Sequence, residues 1–116
     1  MTPSALRRLA LSLPGAHELP HFERTSFRTG KKIFATLTRD GREAMVRVPD
    51  ADEREALLAR LPDVCFSYGG WTTRNGALGL WLAKAKAPLV RELVVGAWRS
   101  VAPKRVVAAF DARRSG

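Results

Sequence analysis

Turn-forming residues cut this chain into short pieces and so restrict what it can become. Pro14-Gly15, Gly30, Asp40-Gly41, Pro49-Asp50, Pro62, Gly69-Gly70, Asn75-Gly76 and Pro103 recur along 116 residues. Such pairs either lock φ or tolerate positive φ, and each stops a helix or turns a strand. Every apolar run is broken by Arg, Lys, Glu or Gly before it reaches the ~18–20 residues of a membrane span. What remains is a set of short helices and hairpins. A chain of this length that is 46% hydrophobic can build one core but not two ordinary domains. One domain over residues 1–116 is expected.

The first segment opens with Thr2-Pro3, a hydroxyl cap followed by proline at the first helical position. Ala5, Leu6, Leu9, Ala10 and Leu13 follow at helical spacing. Two arginines and an apolar stretch raise the question of a signal peptide. The stretch Leu9–Leu13 is shorter than the ~7–15 residues of an h-region, and no A-x-A site follows. A helix of the mature fold and a cytoplasmic protein are therefore expected. The lone Cys65 excludes an internal disulfide and fits a reducing compartment.

His17–Val48 reads as strands: Ser26–Arg28, then Lys32–Thr38 after a turn at Gly30, then Glu43–Val48 after a two-residue hairpin at Asp40-Gly41. In the last of these Ala44, Val46 and Val48 alternate with Glu43, Met45 and Arg47, so one face is buried. Pro49-Asp50 opens a second helix that Asp50 caps, with Leu57, Leu58 and Leu61 as its apolar stripe. Val64–Tyr68, Trp71–Thr73 and Ala77–Ala83 are the next strands, the last two joined by Asn75-Gly76. A final helix begins near Ala87-Pro88, with Leu89, Val90, Leu93, Val94, Ala97, Trp98 and Val101 on one broad face. Pro103 breaks it. Lys104–Phe110 makes one more short helix, and the tail, residues 111–116, reads as disordered. The fold expected is α+β, a two-layer domain with an antiparallel sheet in the order α-β(3)-α-β(2-3)-α.

Charge is unevenly spread. The chain carries 20 Lys+Arg against 11 Asp+Glu, a net +9. Residues 24–47 hold seven basic and two acidic side chains, and residues 84–116 hold eight and two. Pro49–Asp63 runs the other way, with five acids against two bases. Patterned positive charge is what an anionic partner requires, although basic domains also arise from composition alone.

Five segments stand out together: Leu13-Pro14-Gly15, Ser26-Phe27-Arg28, Gly30-Lys31-Lys32-Ile33-Phe34-Ala35, Gly70-Trp71 and Ala97-Trp98-Arg99-Ser100-Val101-Ala102-Pro103-Lys104. In this order they resemble the MmcQ/YjbR family of small bacterial proteins, commonly described as DNA-binding. The resemblance implies a small α+β domain, akin to secretion-chaperone-like folds, and a DNA partner. Where many members have Ser-Tyr in the late helix this chain has Ala97-Trp98, so no tyrosine hydroxyl role carries over.

The basic turns are the first candidate site. Lys31 and Lys32, Arg39 and Arg42, and Arg74 each stand at or beside a hairpin tip, with Arg28 close by. Such tips straddle a phosphate backbone through cationic side chains and glycine amides, and they read little sequence. Equally, basic residues at tips can be merely solvated. Lys104 and Arg105 follow Pro103 at the start of a helix, where amides suit an anion. They can instead cap carbonyls of the helix before. Trp98 lies on an apolar helical face and reads as core. Trp81 lies opposite Leu78, Leu80 and Leu82 and so on the other face of its strand, with Met45 and Arg47 as neighbours on that side. There it can stack bases, form a homodimer or other protein interface, or meet a second packing layer. Trp71, beside two glycines, is a hinge anchor or a surface contact. A small acidic metabolite is a further alternative if Arg28, Arg47 and Arg74 converge.

Enzyme signals are weak. His17 and His21 suit a metal only on a helix, but Pro20 disfavours helix there, and in a strand they lie ~13 Å apart. Cys65 sits in an apolar strand and reads as a small buried hydrophobe. No nucleophile elbow, P-loop or dinucleotide fingerprint occurs. A non-catalytic protein with no metal and no cofactor is expected.

Overall fold

A computed structural model describes residues 1–70 and 74–115, with backbone only at 114 and 115. Helix α1 (Pro3–Ser12) starts as its sequence dictates: the Thr2 hydroxyl accepts the Ala5 N–H at 3.1 Å. Four strands follow, β1 (Ala16–His21), β2 (Arg24–Thr29), β3 (Lys32–Thr38) and β4 (Glu43–Arg47). Then come α2 (Ala51–Arg60), β5 (Cys65–Phe66), β6 (Ala77–Trp81) and a single 3-10 turn, Leu82–Lys84. Two helices close the chain, α3 (Ala87–Val101) and α4 (Lys104–Ser115).

The described strands form one antiparallel sheet in the order β1-β2-β3-β4-β6-β5. Helix α3 packs across β2, β3 and β4, and α1 packs on α3 and β1. Between them lies the core, with Leu6 and Ala10 from α1, Phe27, Val46, Leu78 and Leu80 from the sheet, and Val90, Val94 and Trp98 from α3. The expected two-layer α+β architecture is therefore present. Registers explain which residues enter the core. Phe27 pairs with Ala35, Ala35 with Val46, and Val46 with Leu78, so one pleat face is apolar throughout. A bulge between Phe27 and Arg28 puts an extra β3 residue opposite Phe27. Phe34 and Ala35 consequently both join the core, where strict alternation would have sent one of them out.

Four details depart from the sequence reading. The first sheet segment has four strands, because β1 extends from Ala16 to His21 despite Pro20. Proline costs little there, since among the described strands β1 pairs only with β2 and so lies at an edge. The β3–β4 loop has four residues rather than two. Asp40 acts as a side-chain cap, its carboxylate accepting from the Thr38 hydroxyl at 2.8 Å and the Arg42 N–H at 3.0 Å. Strand β5 is reduced to Cys65–Phe66, and β6 ends at Trp81. Helix α4 runs on to Ser115, through most of the tail read as disordered, and Asp111 on it pairs with Arg99. The strand expected at 71–73, with Trp71, lies outside the described residues.

Asp50 caps α2 as expected, accepting from the N–H groups of Asp52 and Glu53. Arg54, which nothing in the sequence marked, is buried on the same helix. Its guanidinium donates to the carbonyls of Val48 (2.6 Å) and Pro49 (2.9 Å) and so ties the α2 entry to the end of β4.

Candidate nucleic-acid interface

The β2–β3 hairpin turns through Gly30-Lys31, with Thr29 paired to Lys32. Gly30 has φ +59°, a conformation that L side chains rarely adopt, so glycine is required for this tight tip. The tip is anchored from below. Thr29 is buried, and its hydroxyl donates to the carbonyl of Val101, the last residue of α3, at 3.4 Å. That carbonyl belongs to the helix end, where no intrahelical donor reaches it. About one turn further back, the fully buried Trp98 donates its indole N–H to the carbonyl of Pro14 at 2.9 Å. This bond holds the Pro14-Gly15 turn against α3.

Pro103 lacks an N–H and separates α3 from α4. The N–H groups of Val106 and Val107 then return to the Pro103 carbonyl and start the new helix. Helix α4 is latched back onto α3 by the Arg99–Asp111 ion pair, and the Phe110 ring packs edge-on against Trp98 with centroids 4.9 Å apart.

These anchors assemble a cleft of about 850 Å³. Gly30, Lys31 and Lys32 form one wall, the α3–α4 corner from Ser100 to Lys104 forms the other, and Pro14-Gly15 lies between. Lys31, Lys32 and Lys104 are exposed, and among the described residues none of the three is ion-paired. Arg99 also lines the cleft, but Asp111 balances its charge. An anion of several oxygens entering here would meet three free cations and the amides of the tip.

The other basic residues singled out from the sequence do not join them. Arg105 is exposed next to Lys104 but does not line the cleft. Arg39 and Arg42 sit beyond the opposite end of β3, seven residues and roughly 20 Å along the strand. Arg74 is exposed near the start of β6, which pairs with the end of β4. Arg28 lies on the sheet face away from the helices, where its Nε donates to Ser26 at 2.8 Å and a terminal nitrogen lies 3.4 Å from His21. Arg47 lines a small cavity with Glu53 and Glu92 instead. Arg28 and Arg47 thus do not converge on one acidic metabolite.

Trp81 lies on that outer face as expected, 39% exposed. Its cross-strand neighbour is Glu43, however, while Arg47 pairs with Ala77 at the far end. Part of a second layer covers the face. The Phe66 ring stacks on Trp81 with centroids 4.5 Å apart, and Tyr68 meets Phe66 at 5.2 Å. Gly79 permits this, since a Cβ there would overlap the Phe66 ring. The Arg24 guanidinium lies 5.6 Å from the centre of the Tyr68 ring and also pairs with Glu43 at 3.4 Å. Burial raises the Tyr68 phenol above its ordinary value, and the bond from Arg24 partly offsets this. Met45 is half-buried beside Tyr68. Cys65 is buried, and burial pushes its thiol up, away from thiolate chemistry.

Together these features define a class: a helix-backed antiparallel sheet with a lysine-lined cleft at one end and a partly covered outer face. The crystal structure of Deinococcus radiodurans protein DR2400, which carries a DUF419 domain, has the same fold, with a TM-score of 0.75. Identity is 22%, over 89% of this chain and 80% of that one. The family model described as YjbR matches residues 11–100, and the chain belongs to the YjbR family. No curated protein matches it. No helix among the described residues is long and apolar enough to cross a membrane.

Proposed function

We propose that this protein binds DNA without catalysing a reaction on it, gripping phosphates in the cleft between the β2–β3 tip and the α3–α4 corner. A cytoplasmic location goes with it, which the single cysteine fits. The observation that carries it is the meeting of Lys31, Lys32 and Lys104 around one open cleft with no carboxylate among its lining residues. Lysine grips phosphate as a point charge, so sequence preference would be weak. Helix α4 starts at the cleft, and its first amides add partial positive charge on the same side.

Fluorescence anisotropy with a labelled duplex over a range of salt tests this. Wild-type affinity should fall steeply as salt rises. Lys31→Ala/Lys32→Ala should flatten the log–log slope by about 0.9 for each phosphate that is no longer neutralised. Affinity that ignores salt contradicts the reading.

A second reading is supported by the exposure of Trp81, namely a protein-interaction or homodimer surface. Under it Trp81→Ala lowers the light-scattering mass towards monomer and leaves DNA affinity unchanged.

A further inference from the structure

The β1–β2 hairpin turns through Phe22-Glu23, and Phe22 has φ +58°, the one positive-φ non-glycine among the described residues. A bulky side chain in this region is strained, at a cost of roughly 1–2 kcal/mol, and asparagine or glycine would sit there at less cost. The Phe22 ring is also 92% exposed and meets the edge of His21, with centroids 4.8 Å apart. Neither folding nor solubility explains a strained, uncovered phenylalanine. Strain of this kind persists where function needs it.

Phe22 borders a pocket of about 590 Å³ on the outer sheet face. His21 and Phe22 line it from the tip, Tyr68 from the segment after β5, and Thr36 and Met45 from the strands beneath. The pocket thus offers aromatic planes, an apolar floor and the polar groups of Thr36, Arg24 and Tyr68. Within it Glu23 is exposed and Arg24 is already paired with Glu43, so the local charge does not favour a phosphate. Further cations lie outside its lining. Arg28 lies beside His21, and because Arg24 pairs with Thr38, the β3–β4 tip with Arg39 and Arg42 stands at the same end of the sheet. Among the described residues Arg39 and Arg42 are not ion-paired.

A neutral plane inside and anionic groups around it describe an unpaired nucleotide. We infer that this pocket takes a single unpaired base of single-stranded DNA, stacked on Phe22, with flanking phosphates on Arg28, Arg39 and Arg42. The inference rests on the DNA-binding reading above and gives a role to arginines that the lysine cleft leaves out. A second copy of the chain fits less well, since two molecules of net +9 would meet.

Anisotropy with a labelled 12-mer oligo-dT and with a blunt duplex, on full-length protein, tests it. Phe22→Ala should weaken oligo-dT binding about 5- to 150-fold, the range for removal of one stack, and leave duplex affinity within about twofold. Lys31→Ala/Lys32→Ala/Lys104→Ala should weaken both probes. Unchanged oligo-dT affinity in Phe22→Ala overturns the inference, and so does a halved light-scattering mass with DNA binding intact, which would assign the face to a second copy. Wild type that binds oligo-dT through Phe22 but ignores duplex would sink the cleft reading alone. Wild type that binds neither probe sinks both.

Discussion

The two ends of this sheet are built on opposite terms. At the lysine end every element of the cleft is tied down: Thr29 to Val101, Trp98 to Pro14, Arg99 to Asp111. Its charges project from a rigid frame, and its one positive-φ tip residue is a glycine. At the Phe22 end an aromatic ring is held exposed at positive φ beside a pocket that His21, Tyr68 and Met45 also line. The first arrangement suits a ligand recognised by charge, and the second a ligand recognised by shape and stacking. A small sheet can therefore present two kinds of surface without any change of fold, because α1 and α3 pack on one face and leave the other to shorter segments.

Removing the anchor that supports the cleft should have the largest effect. Trp98→Ala empties a fully buried site and frees the Pro14 carbonyl. Urea unfolding should show a loss of about 3–5 kcal/mol, and a loss below about 1 kcal/mol would mean the corner is held by something else. Next comes Gly79→Ala, which drives a methyl into the Phe66 ring. It should cost about 1–3 kcal/mol and shift the Trp81 emission, while duplex affinity at the cleft stays the same. If duplex affinity drops equally, the two surfaces are not separable.

Phe22→Asn reverses the sign. Relief of the strained φ should stabilise the protein by about 1 kcal/mol in the same urea experiment, even as oligo-dT affinity falls. A destabilised variant would show that Phe22 is held by folding contacts. The smallest effect is a titration. Tyr68 is the only tyrosine, so absorbance at 295 nm reports it alone. Its midpoint in the native protein should lie above 10 and return to about 10 in 6 M guanidinium chloride. Since the folded value is raised, the neutral phenol's contribution is present below pH 10 and is lost as pH rises through the folded midpoint. Tyr68→Phe should remove that alkaline loss.

Local signals carried much of the fold. Thr2 and Asp50 cap their helices as side-chain chemistry dictates, and the alternation of Leu78 and Leu80 with Trp81 set the two faces of β6. Strand β1 falls inside the His17–Val48 stretch read as strands but had no bounds of its own there, and Pro20 is tolerated in it because β1 lies at the edge of the described sheet. The Phe22-Glu23 turn lacks glycine, asparagine and aspartate, so no turn chemistry announced it. The site was legible in part. Lys31, Lys32 and Lys104 were marked by charge, but their meeting depends on a Thr29–Val101 contact 72 residues apart in sequence. Arg39 and Arg42 looked equivalent to Lys31 and Lys32, until the length of β3 separated them. Phe66, Tyr68 and Arg24 form the outer-face network through tertiary packing alone, and spacing along the chain gave no hint of it.

The claim at the centre of this account is that the lysine cleft holds phosphate. Replacing Lys31, Lys32 and Lys104 together by alanine and measuring duplex affinity from about 50 to 200 mM salt is the direct test. If each lysine holds one phosphate, the slope of log affinity against log salt should shallow by about 2.7. A slope equal to that of the wild type would place the phosphates elsewhere and contradict the account.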